Sequence, residues 1–149
     1  MSMPKKVLPR IVSVASGKKA LTLRVHWNTG DDTLVDVSGL INSFRTYAPL
    51  RENPNLFGKA RVGEHGADVV WSDELDISND TLWRLAQEQS GSTMSPDEFR
   101  RWRERRAYTL DAAAKALGVS RRMIAYYEKG EWPIPRVVTL ATRALEAAE

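Results

Sequence analysis

The sequence contains no cysteine and only two histidines, His26 and His65, among its 149 residues. The first absence excludes disulfides, thiolate zinc sites and cysteine nucleophiles together, and the second leaves too few imidazoles for a structural zinc site. No apolar run approaches the ~20 residues that cross a bilayer, so no membrane span is expected. Met1 to Arg10 carries Lys5 and Lys6 but no apolar core or small-residue cleavage site after them, which argues against a secretory leader and for a cytoplasmic protein. Internal repeats and low-complexity segments are missing as well.

What remains is the composition of an ordinary globular chain, 42% hydrophobic and 28% charged. Its length suits one average domain or two small ones. The net charge is only +3, and its distribution is more informative than its size. Residues 1–94 hold 11 Lys and Arg against 11 Asp and Glu, whereas residues 95–149 hold 11 against 8. Between positions 100 and 130 nine basic residues stand beside three acidic ones, Glu104, Asp111 and Glu128. A polyanion would meet this segment first.

The first part reads as a small α+β domain, residues 1–90, with an antiparallel sheet and one or two helices. Leu21, Leu23, Val25 and Trp27 alternate with Thr22, Arg24 and His26, the period-2 pattern of a strand with one buried face. Asn28-Thr29-Gly30-Asp31 supplies a turn, and Thr33 to Val37 is the expected hairpin partner. Ser38-Gly39-Leu40-Ile41 opens a short helix, and Pro49 and Pro54 are read as bracketing a loop. A second hairpin is expected from Leu56–Val62 and Ala67–Trp71 around Gly63-Glu64-His65-Gly66. Ser78 can cap a helix carrying Leu82, Leu85 and Ala86, with Asp80 at its positive end. That helix fades into Gln89-Ser90-Gly91-Ser92-Thr93, the expected domain boundary.

The second part, residues 95–149, reads as an all-helical domain with clear start and stop signals. Ser95-Pro96-Asp97-Glu98 combines an N-cap serine, proline in the first turn and Glu three residues after the cap. Thr109 can cap a second helix that ends at Leu117-Gly118, and Ser120 a third that ends near Gly130. Pro133 and Pro135 interrupt the chain before a last helix, for which Val137, Val138, Ala141, Ala144 and Leu145 are taken as one side.

Ala114, Gly118 and Ile124 are spaced as a helix pair joined by a tight turn requires: a small residue where the helices approach, a glycine between them, an aliphatic plug in the angle. Projecting the third helix at ~100° per residue puts Met123, Ile124 and Tyr127 on one side, with Ala113, Ala114, Leu117, Phe99 and Trp102 as core companions. Arg121, Arg122, Ala125, Tyr126 and Lys129 fall on the other, where core-building gives them no reason to be. An arginine at the start of such a helix can grip guanine through two parallel hydrogen bonds, and a small Ala125 lets the helix approach the groove floor. On this reading Arg121, Arg122, Ala125 and Tyr126 are candidate base contacts, while Ser120, Thr109, Arg106 and Lys129 are candidate phosphate contacts. The solvated helix face is the alternative for the arginines. Tyr126 either stacks on sugar or thymine methyl or covers its own turn, and Trp132 is read as packing under a loop.

The run Arg103-Glu104-Arg105-Arg106-x-x-Thr109-Leu110-x-x-Ala113-Ala114-x-x-Leu117-Gly118-Val119-Ser120-x-x-x-Ile124-x-x-Tyr127-Glu128-x-Gly130 resembles the phage-repressor or Cro type of helix-turn-helix, the lambda-repressor-like XRE family. The resemblance implies a bundle of four or five helices that binds double-stranded operator DNA, usually as a homodimer. It also implies a structural pair between Arg103 and Glu128. Two positions depart from the pattern: Ala113 stands where the family commonly has leucine, and Leu110 where it commonly has a phosphate-clamping glutamine. The first part resembles the bacterial domain of unknown function 2442 through Leu21-Thr22-Leu23-Arg24-Val25, Val35-Asp36-Val37-Ser38-x-Leu40-Ile41, Tyr47-x-Pro49-Leu50, and Trp71 with Asp76-Ile77-Ser78-x-Asp80-Thr81-Leu82.

These features support a non-enzymatic transcriptional regulator without cofactor. An antitoxin-like module that binds a protein partner through the N-terminal domain and represses its own promoter is a second reading. For an enzyme the residues offer little: His26 or His65 could pair with Asp68 or Asp73, but no nucleophile motif, phosphate loop or paired-ligand spacing accompanies them. Asp31, Asp32 and Asp36 suit turn solvation better than a metal, because the alternating oxygen ligands of a calcium loop are missing.

Overall fold

Alternation makes the central strand of the first part. In the computed structural model, which describes residues 8–148, β2 (Thr22–Trp27) buries Thr22, Leu23, Val25 and Trp27 and exposes Arg24 and His26. It pairs antiparallel with β3 (Asp32–Asp36) across the Asn28–Asp31 turn, where Gly30 takes the left-handed backbone that the reversal needs. On its other side lies β1 (Ile11–Ser16), a strand the periodicity did not disclose. A bulge between Ile11 and Ser13 breaks its alternation, so Val12 and Ser13 are both exposed between buried Ile11 and half-buried Val14. Lys5 and Lys6 lie outside the described residues.

After β3 come α1 (Ser38–Ser43), α2 (Ala48–Glu52) and α3 (Pro54–Phe57). The loop expected between Pro49 and Pro54 is corrected to short helices. Both prolines sit in a first turn, where a missing N–H costs nothing, and the Asn53 side chain caps α3 by accepting from the N–H groups of Asn55 and Leu56. The expected strand Leu56–Val62 accordingly shrinks to β4 (Arg61–Val62), which pairs with β5 (Asp68–Ser72). A further strand, β6 (Leu75–Ser78), completes a second three-stranded antiparallel sheet in the order β4-β5-β6.

Helix α4 (Asn79–Gln89) starts where Ser78 Oγ accepts from the Thr81 N–H at 3.2 Å. Its last residue closes the open edge of β3: the Gln89 amide accepts from Asp36 N at 2.8 Å and donates to Asp36 O at 2.7 Å, as a neighbouring strand would. Both sheets and the helices share one core that includes Leu23, Val25, Trp27, Val69, Trp71 and Leu82. The α+β character, the antiparallel pairing and the accompanying helices are those read from the sequence; the strands are arranged in two three-stranded sheets, and α1, α2 and α3 are short beside α4.

The chain divides at Gln89/Ser90 into two compact units. The second holds α5 (Pro96–Arg105), α6 (Leu110–Leu117), α7 (Arg121–Lys129) and α8 (Arg136–Ala147). Ser95, Thr109 and Ser120 each cap their helix by accepting from the N–H three residues on. Gly118 and Gly130 end α6 and α7 in the left-handed region, at φ 72° and 74°. Phe99, Trp102, Ala113, Ala114, Ile124, Tyr127, Ile134 and Val138 form the core, with Leu117 and Met123 packed half-buried against it.

The inner face of α8 differs from the expected one. Val138, Thr139 and Thr142 are buried, whereas Val137 is 71% exposed and Ala144 also faces solvent. The two threonines tolerate burial because their hydroxyls are bonded: Thr139 Oγ1 accepts from Met94 N at 3.1 Å and Thr142 Oγ1 donates to Thr139 O at 2.7 Å.

Candidate nucleic-acid interface

Helix α7 is the element whose two sides differ most in what they do. Its inner side fixes it to α6 and α5: Ile124 is fully buried, Ala114 is small where α6 passes, and the Gly118 turn is closed by Val119 N donating to Ala114 O at 3.0 Å. Its inner end is held by charge. Arg103 on α5 forks onto Glu128, Nε to Oε2 at 2.9 Å and Nη2 to Oε1 at 2.8 Å, and its third nitrogen donates to Tyr108 O at 2.9 Å. Arg100 adds a second cation, with Nε 3.6 Å from Glu128 Oε1 and Nη2 donating to Glu128 O at 3.1 Å. The hydrogen bonds to Glu128 raise the Arg103 pKa above its ordinary value, so its charge persists at any working pH.

On the outer side Arg121, Arg122 and Lys129 are exposed, and Ala125 and Tyr126 are half-buried between them. The two arginines have different companions. Arg121 Nη1 lies 3.7 Å from Asp111 Oδ2 of α6, a loose pair with both side chains mostly in water. Arg122 Nε donates to Tyr126 Oη at 2.6 Å, with its guanidinium carbon 5.5 Å from the tyrosine ring centre. Ser120 and Thr109 are exposed at the starts of α7 and α6, where each hydroxyl oxygen accepts a backbone N–H as a cap and keeps its own O–H as a donor.

Arg106, grouped with these as a candidate phosphate contact, is half-buried. Its Nη1 donates to Leu145 O near the end of α8 at 3.3 Å, and its guanidinium lies 5.2 Å from the Tyr108 ring centre. Trp132 is not under a loop: it is 54% exposed and stacks on Tyr126, ring centres 6.4 Å apart and 29° between planes. Sequence reasoning missed Arg100 as a partner of Glu128 and Asp111 as a partner of Arg121, because both contacts join different helices at spacings that no local rule covers. Where the family pattern has leucine, Ala113 is buried in the cluster that also holds Phe99 and Trp102, whose rings are 5.5 Å apart.

In the first unit a cleft of about 980 Å³ is lined by Arg61, Glu64, His65, Asp68, Asp73 and Asp76 among others. It gathers His65 with Asp68 and Asp73, while His26 stands on β2 in register with Asp32. Among the described residues no group of three or more His, Asp and Glu could hold a metal ion, and no helix is long and apolar enough to cross a membrane. Asp31 and Asp36 bond within their own turns, to Thr29 and Ser38, and Asp32 pairs with Arg24.

The Asp68 carboxyl is pushed above its ordinary value, first by burial, then by hydrogen bonding with Asp76 and repulsion from Asp76 and Glu64, with Arg61 opposing. The folded chain therefore holds this proton more tightly than the unfolded chain does, and stability falls as pH climbs from the ordinary carboxyl value through the raised one. Asp68→Asn removes that loss. Melting scans should show a small gain at about pH 7, within ~0.5 kcal/mol, and none at about pH 3; a loss at neutral pH would overturn the assignment.

Compared with known families, residues 11–88 match the family of proteins of unknown function DUF2442, just over half of the chain. The chain belongs to that family. In this DUF2442 protein residues 97–149 also match a helix-turn-helix domain, which covers α5 to α8. Among solved structures the chain is similar to a candidate DNA-binding protein from Nitrosomonas europaea ATCC 19718. The identity is 32% and the TM-score 0.58, over 97% of this chain and 91% of the other. No curated protein matches.

Proposed function

We propose that this DUF2442 chain is a sequence-specific DNA-binding protein, a cytoplasmic transcriptional regulator without catalytic activity, which acts as a homodimer and lays α7 in the major groove. The observation that carries the reading is the division of α7: one side is locked into the core by Ile124, Tyr127 and Glu128, and the other presents Arg121 and Arg122 at its first turn to solvent. That is the end of a recognition helix that meets base edges. The helix-turn-helix match and the description of the Nitrosomonas protein support it.

Phosphate anchoring falls to Lys129, to the Ser120 and Thr109 hydroxyls and to the N–H groups at the starts of α6 and α7, with Arg106 beside them through the donors it does not give to Leu145 O, since Leu110 offers no polar side chain. Two copies with this geometry would read half-sites about 34 Å apart, so selection from random DNA should return a palindrome. Arg121→Ala should weaken binding to the selected site by about 1–3 kcal/mol if it reads a base, and relax the preference at one position. Titrations at several salt concentrations test this. Equal binding of parent and variant across the pool would remove Arg121 from the readers.

A further inference from the structure

The outer side of α7 holds an arrangement that base reading alone does not call for. Arg122 and Tyr126 stand one helical turn apart, and Trp132 comes from beyond the helix end. The reversal at Gly130, with Glu131 N donating to Tyr126 O at 3.0 Å, carries the chain back along α7 so that the Trp132 ring lies on the tyrosine. Tyr126 is thus stacked on Trp132 and bonded through its hydroxyl to Arg122 Nε.

A guanidinium has five N–H donors in a planar fork. With Nε engaged by Tyr126, the two terminal nitrogens are left side by side, and that pair matches the O6 and N7 acceptors of guanine. A free arginine must give up rotamer freedom to adopt this geometry, and one already braced has less to lose. Among the described residues Arg121 has no comparable brace: Asp111, itself exposed, lies 3.7 Å away.

We propose that Tyr126 is a positioning residue for Arg122, holding its terminal nitrogens for one guanine while Trp132 backs the tyrosine ring. The inference rests on the DNA-binding reading above and names the base that α7 prefers. It moves Tyr126 from base contact to support, and it separates Arg122, the preorganised reader, from Arg121.

The full-length chain is tested on DNA selected by the parent protein and on variants of that site with each base pair changed in turn. Arg122→Ala should lose about ten- to a hundredfold in affinity and the preference at one G·C pair of each half-site. Tyr126→Phe keeps the ring and its stack but deletes the hydroxyl. It should lose several-fold at that same pair and nowhere else, with its melting temperature unchanged. In an Arg122→Ala background Tyr126→Phe should cost nothing more, since its effect runs through the arginine. A Tyr126→Phe loss at a different pair, an undiminished loss without Arg122, or no loss at all overturns the proposal while leaving the DNA-binding reading intact. Failure of the parent chain to select any sequence would sink both.

Discussion

Glu128→Ala is expected to destabilise the helical unit by about 3 kcal/mol, the low end of the range for breaking one side of a buried ion pair. The carboxylate is only 8% exposed and meets three nitrogens, Arg103 Nε and Nη2 and Arg100 Nε, while the further Arg100 bond goes to the Glu128 backbone carbonyl and survives the change. Its removal leaves the Arg103 fork facing a void on α7. The figure stays at the low end because the Arg103 side chain is itself 20% exposed and can recover some water. For a unit of this size the loss corresponds to a fall of roughly 12–24 °C in melting temperature, at about 4–8 °C per kcal/mol. Glu128→Gln preserves the volume and one acceptor, so it should lose less. Arg103→Ala and the double variant complete a cycle in which the two losses are far from additive. Calorimetry or denaturant titration decides the matter, and an unchanged transition in Glu128→Ala would show that the fork contributes nothing net.

The helical unit was readable from the sequence because its signals are local. Ser95, Thr109 and Ser120 announce helix starts through a hydroxyl and a three-residue offset, Gly118 and Gly130 announce ends through backbone freedom, and the 3.6-residue period sorts the sides of α7. The same period misled on α8, where Thr139 and Thr142 count as polar although their hydroxyls find partners within the fold. In the first unit β2 kept its alternation and was legible. The bulge in β1 and the two-residue length of β4 leave too little pattern to read. Pro49 and Pro54 look like breakers until Asn53 is seen to cap α3.

For the candidate site the residue types and the Arg103–Glu128 pair were legible, and the pairings on the outer side of α7 were not. Helical projection finds Arg121, Arg122 and Tyr126 on one side, but that Asp111 reaches Arg121 depends on the α6–α7 crossing. That Trp132 returns to Tyr126 depends on the chain reversal after Gly130. Arg106 shows that a basic residue counted toward the polyanion face can also tie helices together, with Nη1 donating to the carbonyl of Leu145. Charge counts identify the segment, and only packing assigns each arginine its work.

Trp27→Ala should be the most damaging single change in the first unit, costing about 3–5 kcal/mol. The ring is fully buried at the end of β2, its Nε1 donates to Thr33 Oγ1 at 2.9 Å, and it meets the edge of Trp83 on α4 at 5.0 Å and 81° between planes. Truncation leaves a cavity between the sheet and α4, leaves the Thr33 hydroxyl only its 3.4 Å bond to Val25 O, and removes the aromatic pair. Trp27→Phe fills part of that space and should lose less. We propose that the two compact units are separate domains, in which case the damage stays local: thermal unfolding of the full-length variant should separate into an early transition for the α+β unit and a later one at the parent's helical value. DNA binding by the helix-turn-helix should survive below the second. A single transition displaced as a whole, or binding lost together with the first, would mean that the helices depend on the α+β unit for their stability.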